Sequence, residues 1–303
     1  MAIFRSFLCS FRINLISYKK LFDLQLVNWP DIVRRKMKKV CPPISKFKIY
    51  EEAVQSPRWQ VEYLPQFHQW LIGKMPTSMR EDFCGTGKIS CEWVKLSKKN
   101  TAVGLDLDPE TLEYARKINR ADLSPTEQKR VQFLKQDVLK PTREKFDWIG
   151  AYNFSFYTFH ERKTLLQYFK AAHQSLKSKG TFFLELSGGE GFKETLHEAK
   201  KFKILGHGTF QSVWQQHQFD PISQLNNYSI HFKLPDGTWL NDAFTYHWRI
   251  WEIREIREAL EDAGFSKTVV LWENTEEDAD EYLPQEQGDY RRDWLAYVVG
   301  VKK

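Results

Sequence analysis

Ser78-Met-Arg-Glu-Asp-Phe-Cys-Gly-Thr-Gly-Lys88 reads as a short strand, a glycine turn and the start of a helix. Cys84-Gly-Thr-Gly87 brings bare backbone close to a ligand, because two of its residues lack a Cβ. The helix that follows offers its unpaired N–H groups at the same place. A glycine pair alone carries little weight. What strengthens it is Thr101-Ala-Val-Gly-Leu-Asp106, a second apolar run ending in a carboxylate roughly 20 residues later. At that spacing a nucleotide-binding βαβ unit presents an acid to ribose hydroxyls.

The alternation continues outward from this pair. Asp108 caps a helix and Pro109 takes its first turn, with the helix running to about Asn119; Ser124-Pro-Thr-Glu127 repeats that start. Val131–Asp137, Phe146–Tyr152 and Thr181–Leu186 are predicted as the third, fourth and fifth strands, with a long amphipathic helix over Glu161–Ser178. Strands alternating with helices imply a parallel sheet covered on both faces. Upstream, Ile49–Trp70 suits one or two short amphipathic helices. Downstream the pattern changes. Thr209–Phe219, Asn227–Leu234 and Thr238–Trp248 are strand candidates without helices between them, the last two joined at the tight turn Pro235-Asp-Gly237. They are read as an antiparallel insertion over the carboxyl edge of the sheet. Ile250–Ala263 returns to helix, and Ser266–Trp272 with Trp294–Val301 forms a closing antiparallel pair. Between those two, Glu273–Asp289 carries eight acids and no base and is read as a long loop.

Charge is unevenly spread. The net +6 conceals residues 1–48, where 11 Lys/Arg face 2 Asp/Glu, and a remainder with 34 basic against 37 acidic side chains. The body is not basic, so a broad nucleic-acid face is not expected. Cys9, Cys41, Cys84 and Cys91 show neither disulfide nor zinc spacing, which fits a reducing, cytoplasmic setting. No apolar run reaches the roughly 18 residues of a membrane span. The basic start is read as an extension, or as a start codon placed too early with Met37 as the true start, in preference to a targeting peptide.

Glu81-Asp-Phe-Cys-Gly-Thr-Gly87, Gly104-Leu-Asp-Leu-Asp108, Gln136-Asp137 and Phe146-Asp147 stand in the order and approximate spacing of the class I S-adenosylmethionine-dependent methyltransferases, which the chain resembles over roughly residues 78–187 and more loosely in its last third. It looks most similar to a bacterial-type group of methyltransferase-domain proteins with an Arg-Glu-Asp-Phe-Cys-Gly-Thr-Gly turn and no settled substrate. The resemblance implies a Rossmann-like α/β fold: a seven-stranded sheet with its last strand antiparallel, here with an antiparallel β insertion after the fifth strand. It also implies S-adenosyl-L-methionine as cofactor. Residues 1–48 would be a basic extension and 49–303 the methyltransferase domain, made of N-terminal helices or a lid (49–77), a cofactor-binding core (78–187), the insertion (206–249) and a closing helix with strands (250–303).

Carried over by position, Glu81 matches the acid ending the first strand, and the backbone of Cys84, Gly85, Thr86 and Gly87 would pass under the methionine part of the cofactor. Asp106, with Leu107 beside it, would take the ribose hydroxyls. Asp137 and the backbone of Val138 would face the adenine, and Asn153 and Phe154 would line the methyl-transfer pocket. Asp82 points the other way along the strand and is read as structural. Tyr50 and Gln55 are placed to close over the cofactor, as N-terminal segments do in family members. One departure stands out: Phe83 occupies the place of the usual first glycine, so its φ must be negative or strained.

The residues themselves leave the cofactor's identity open to a nicotinamide. That alternative wants a third glycine where Ser90 stands. Methyl transfer needs alignment, exclusion of water and, for a protonated nucleophile, a base. Tyr157 and His160, in the segment after the fourth strand, are the candidate proton acceptors, although packing of that segment against the insertion is the preferred reading for either one. Trp214, Trp239, Phe244, Tyr246, Trp248 and Trp251 could form a substrate wall, a homodimer face or ordinary sheet packing. His217, His231 and His247 lack metal spacing and are read as structural. The expected activity is methyl transfer to a small molecule. The alternatives are an RNA or protein methyltransferase using the basic arm, and a non-catalytic cofactor-binding module.

Overall fold

The computed structural model describes residues 44–274 and 281–303. Residues 1–43 of the basic start, with the proposed Met37 start, Cys9 and Cys41, lie outside the described residues; Lys46 and Lys48 of its last part open the first helix. Two helices lead in. Ser45 caps α1 (Lys46–Val54) by accepting the Phe47 N–H. Pro57 opens α2 (Pro57–Ile72), and left-handed Gly73 ends it. Then come β1 (Ser78–Asp82), α3 (Lys88–Leu96), β2 (Thr101–Asp106) and α4 (Pro109–Tyr114). A π-helical turn, Ala115–Asn119, continues α4. The Asp108 cap and the Ser124 capping box on α5 (Pro125–Gln128) are both formed.

The chain continues through β3 (Val131–Lys135), β4 (Phe146–Ala151), a 3₁₀ turn at Ser155–Thr158, α6 (Arg162–Ser175) and β5 (Leu176–Gly188). Four antiparallel strands follow: β6 (Leu196–Ile204), β7 (Gly208–Gln216), β8 (Leu225–Lys233) and β9 (Trp239–Arg249). The last elements are α7 (Ile253–Asp262), β10 (Lys267–Asn274), β11 (Glu281–Gln285) and β12 (Trp294–Val301). β6 to β9 form a separate sheet in sequence order.

The main sheet runs β11-β10-β12-β5-β4-β1-β2-β3. Neighbours among β1 to β5 are parallel, while β12 runs antiparallel to β5 and β10. β1 lies between β2 and β4, so the order reverses there, and a ligand crevice is expected beyond the carboxyl ends of these strands. The core on either side is aromatic: Trp148 meets Trp93 and Phe183 edge-on, all three buried.

Two expectations need correction. Among the described residues the sheet has eight strands rather than seven, because Glu281–Gln285, read as loop, pairs antiparallel with β10. Tyr282 explains it: its buried ring packs on Trp59 and Tyr297, and this long-range contact outweighs an acidic local sequence. The insertion likewise has four strands, not three. β6 carries Glu198, Lys200, Lys201 and Lys203 and looks unlike a strand, yet it pairs along its whole length with β7. Such charge suits an edge strand with one wet face.

Candidate functional site

At the carboxyl end of β1 the backbone turns sharply. Phe83 has φ +55° and Gly85 φ +52°, and Gly87, also left-handed, is the N-cap of α3. Phe83 is therefore a strained residue where glycine would be at ease, at a cost of about 1–2 kcal/mol. Its ring packs 5.8 Å from Phe159 and 5.6 Å from Tyr168, which offsets that cost. Gly87 and Gly104 serve packing instead: a Cβ on either would strike Phe133.

Asp106, at the end of β2, holds the turn in place. One carboxylate oxygen accepts the Gly85 N–H at 2.7 Å, and the other accepts those of Leu107 (2.7 Å) and Asp108 (2.9 Å). Beyond β4, Asn153 and Phe154 are consecutive left-handed residues, φ +51° and +57°. The buried Glu185 of β5 accepts the Asn153 N–H at 2.7 Å and fixes this second turn. Burial pushes the Glu185 carboxyl up to about 7.

The two turns open into a cavity of about 360 Å³, within the usual span of small-molecule sites. Gly85, Thr86, Asp106 and Asn153 form one wall. Opposite stand Phe244 to Trp248 of β9. α1 closes one side through Phe47 and Tyr50, with Gln55 just beyond it. The Tyr50 ring lies 4.6 Å from that of Phe244, and its hydroxyl bonds to Tyr246. Burial pushes the Tyr50 phenol up to about 12. None of the lining residues is a lysine or arginine.

Of the expected cofactor contacts, Gly85, Thr86, Asp106 and Asn153 meet in this cavity, and Glu81, Cys84, Gly87, Leu107, Asp137, Val138 and Phe154 lie outside its lining. Glu81 points inward: its carboxylate accepts both the N–H (2.9 Å) and the hydroxyl (2.5 Å) of Ser90, which ties β1 to the first turn of α3. Burial raises it to about 8. Asp82 is structural, in a two-point pair with Arg80 at 2.8 Å that is fully buried and joined by the Tyr168 hydroxyl. Asp137 accepts the Leu139 N–H, Val138 and Phe154 are buried, and Leu107 is exposed.

The proton-acceptor candidates fare differently from their sequence reading. Tyr157 has no exposed surface and donates to the Ser187 carbonyl at 2.8 Å, so it packs the core. His160 contacts the His247 carbonyl at 2.8 Å, and it is His247 that lines the cavity. Sequence reading missed that His247 lines the cavity and that Glu185 fixes the Asn153 turn. Only the alternation of β9 could have singled out His247, and it gives no sign of which face meets a ligand.

Residues 81–228 match the model of a family described as a methyltransferase domain. A comparison with curated protein sequences finds no match. Among solved structures, an S-adenosylmethionine-dependent methyltransferase from Clostridium acetobutylicum is 17% identical, with TM-score 0.61, over 85% of this chain and 98% of its own. A sugar N-methyltransferase from Streptoalloteichus sp. is 14% identical, with TM-score 0.61, over 94% and 99%. An amino pentose methyltransferase from Micromonospora echinaspora is 12% identical, with TM-score 0.61, over 85% and 98%. At these identities the likeness is one of fold. Residues 81–228 are thus a methyltransferase domain, and the sheet is that of the class I S-adenosylmethionine-dependent methyltransferases. The chain carries a methyltransferase domain on that fold, with the acceptor still to be assigned.

Proposed function

We propose that the protein transfers a methyl group from S-adenosylmethionine to a small-molecule acceptor held between the glycine turn and the β9 wall. One observation carries this reading: a single cavity joins the Gly85–Thr86 turn and Asp106 to an aromatic wall made by the insertion. The cavity suits the cofactor's charge as well. Its lining includes Asp106 and Asp108 and no basic side chain, and the Thr86 hydroxyl is buried there without a partner among the described residues. Neighbours of the same fold that act on sugars and amino pentoses lend weight to a small acceptor.

In this reading Asp106 orients the ribose, and the backbone from Gly85 to Thr86 runs beneath the methionine chain. Bound S-adenosylmethionine supplies a methyl group activated by its positive sulfur. Asn153 and the rings of Tyr246 and Trp248 border the space where an acceptor would sit, and α1 shields it from water. His247 is the imidazole within reach of a departing proton.

Among the described residues no helix is long and apolar enough to cross a membrane; with Cys84 and Cys91 free and buried, we place the protein in the cytoplasm. Residues 1–43 of the basic arm that would favour an RNA or protein acceptor lie outside the described residues. Calorimetric titration with S-adenosylmethionine and S-adenosylhomocysteine tests the cofactor, and a folded protein that binds neither refutes it. Transfer of a labelled methyl group into fractionated cell extract tests the acceptor. Label is expected in the metabolite pool; label confined to RNA or protein would assign the acceptor there, and none in any pool would favour a non-catalytic module.

A further inference from the structure

We infer that Glu51 of α1 is a cofactor-binding residue that takes the α-ammonium group of the methionine moiety; this rests on the cofactor reading above. On α1, Phe47 and Tyr50 line the cavity, and Glu51 follows Phe47 by four residues, which sets it on the same face. It is 6% exposed. One carboxylate oxygen accepts the Asn119 side-chain amide at 2.5 Å, and the same amide nitrogen donates to the Thr86 carbonyl at 2.9 Å. Asn119 is the last residue of the π-helical turn. Glu51 is thereby held against the glycine turn.

Its second oxygen is buried and meets no hydrogen-bond donor among the described residues. The nearby Lys48 is turned to Glu52, at 2.7 Å. The Thr86 hydroxyl, in the cavity lining, is buried and unpartnered in the same way. A buried carboxylate left without a cation is costly, and a hydroxyl without a partner adds to that cost. The second Glu51 oxygen and the Thr86 hydroxyl, left without a donor beside the Asn119 bridge, call for a cation bearing several N–H groups at the turn taken to carry the methionine chain. S-adenosylmethionine has two cationic centres, and its sulfonium has no hydrogen to donate. The ammonium group does, so its binding also fastens α1 over the site.

Titration of the full chain with S-adenosylhomocysteine and with 5′-methylthioadenosine, which keeps the nucleoside but lacks the amino-acid moiety, tests this. Glu51→Gln keeps the volume and the Asn119 contact while removing the charge. The variant should bind S-adenosylhomocysteine roughly 10- to 100-fold more weakly and 5′-methylthioadenosine unchanged. Equal weakening of both ligands, or of neither, overturns the inference. A second arm uses the wild type: an S-adenosylhomocysteine analogue without the α-amino group should lose the same factor, with no further loss on Glu51→Gln. A further loss on the variant overturns it too. If neither nucleoside binds folded wild type, the cofactor reading itself falls, and this inference with it.

Discussion

On the sheet side of the cavity, the turn at Gly85 is held by backbone hydrogen bonds to Asp106, whose carboxylate is engaged by three N–H groups. On the insertion side, rings do the holding: Phe244 against Phe47 and Tyr50, Tyr246 stacked on Trp248 at 4.4 Å, and Trp248 against Phe154. Directed bonds set atoms to a fraction of an ångström, as an invariant ligand requires. Ring packing tolerates exchange of one shape for another. On the function proposed above, the first wall suits a fixed cofactor and the second an acceptor of variable shape.

The largest test of this contrast lies beneath the sheet-side wall. Asp82→Ala leaves Arg80 buried without its carboxylate, and urea unfolding should show a loss of about 3–5 kcal/mol. A loss below 1 kcal/mol would mean that the pair does not brace the turn. Next, on the proposed binding mode, Asp106→Ala should weaken S-adenosylhomocysteine binding by about 100-fold, since three N–H groups lose their acceptor and the ribose its proposed one. Phe244→Ala should change that affinity by less than about threefold while lowering label transfer to the metabolite pool. Similar losses of cofactor affinity from both would erase the distinction between the walls.

Acidity gives a third test. Burial raises Glu81 to about 8 and Glu185 to about 7, from an ordinary value of 4.5. Above that ordinary value the folded state holds more protons than the unfolded one, so these groups lower stability as pH rises towards their folded values. His68, which burial pushes down to about 4, acts with the opposite sign, but its effect is complete by its unfolded value of 6.5. Between pH 6.5 and 8, stability should therefore fall by on the order of 2 kcal/mol. Glu81→Gln should flatten most of that slope in urea titrations at stepped pH. An unchanged slope would show Glu81 ionised in the folded protein.

The smallest effect is expected at Phe83. Replacement by glycine relieves about 1–2 kcal/mol of left-handed strain and forfeits the half-buried contacts with Phe159 and Tyr168. Urea unfolding of Phe83→Gly should lie within about 1 kcal/mol of wild type. A loss of 3 kcal/mol would identify the ring as a principal support of the turn.

Much of the sheet was legible because its signals are local. The caps at Asp108 and Ser124, the glycine turn after β1 and the carboxylate ending β2 each need only a few neighbouring residues to be read. β6 and β11 were not, because charge hid one and a single long-range ring contact made the other. The direction of Glu81 was equally hidden. A strand-end acid can face the crevice or the following helix, and the hydroxyl of Ser90 draws it to the helix.

The sequence by itself determined the parallel sheet, the place of its crevice and the acid at Asp106, since periodicity, caps and glycine turns act within a few residues. Tertiary structure alone decided which side chains meet in and around the cavity. Glu51 meets Asn119 across 68 residues of chain and Glu185 meets the Asn153 turn across 32. His247 reaches the lining only because β9 lies over the carboxyl edge. Such meetings depend on how whole elements pack, and burial then sets the charge and partners of each group.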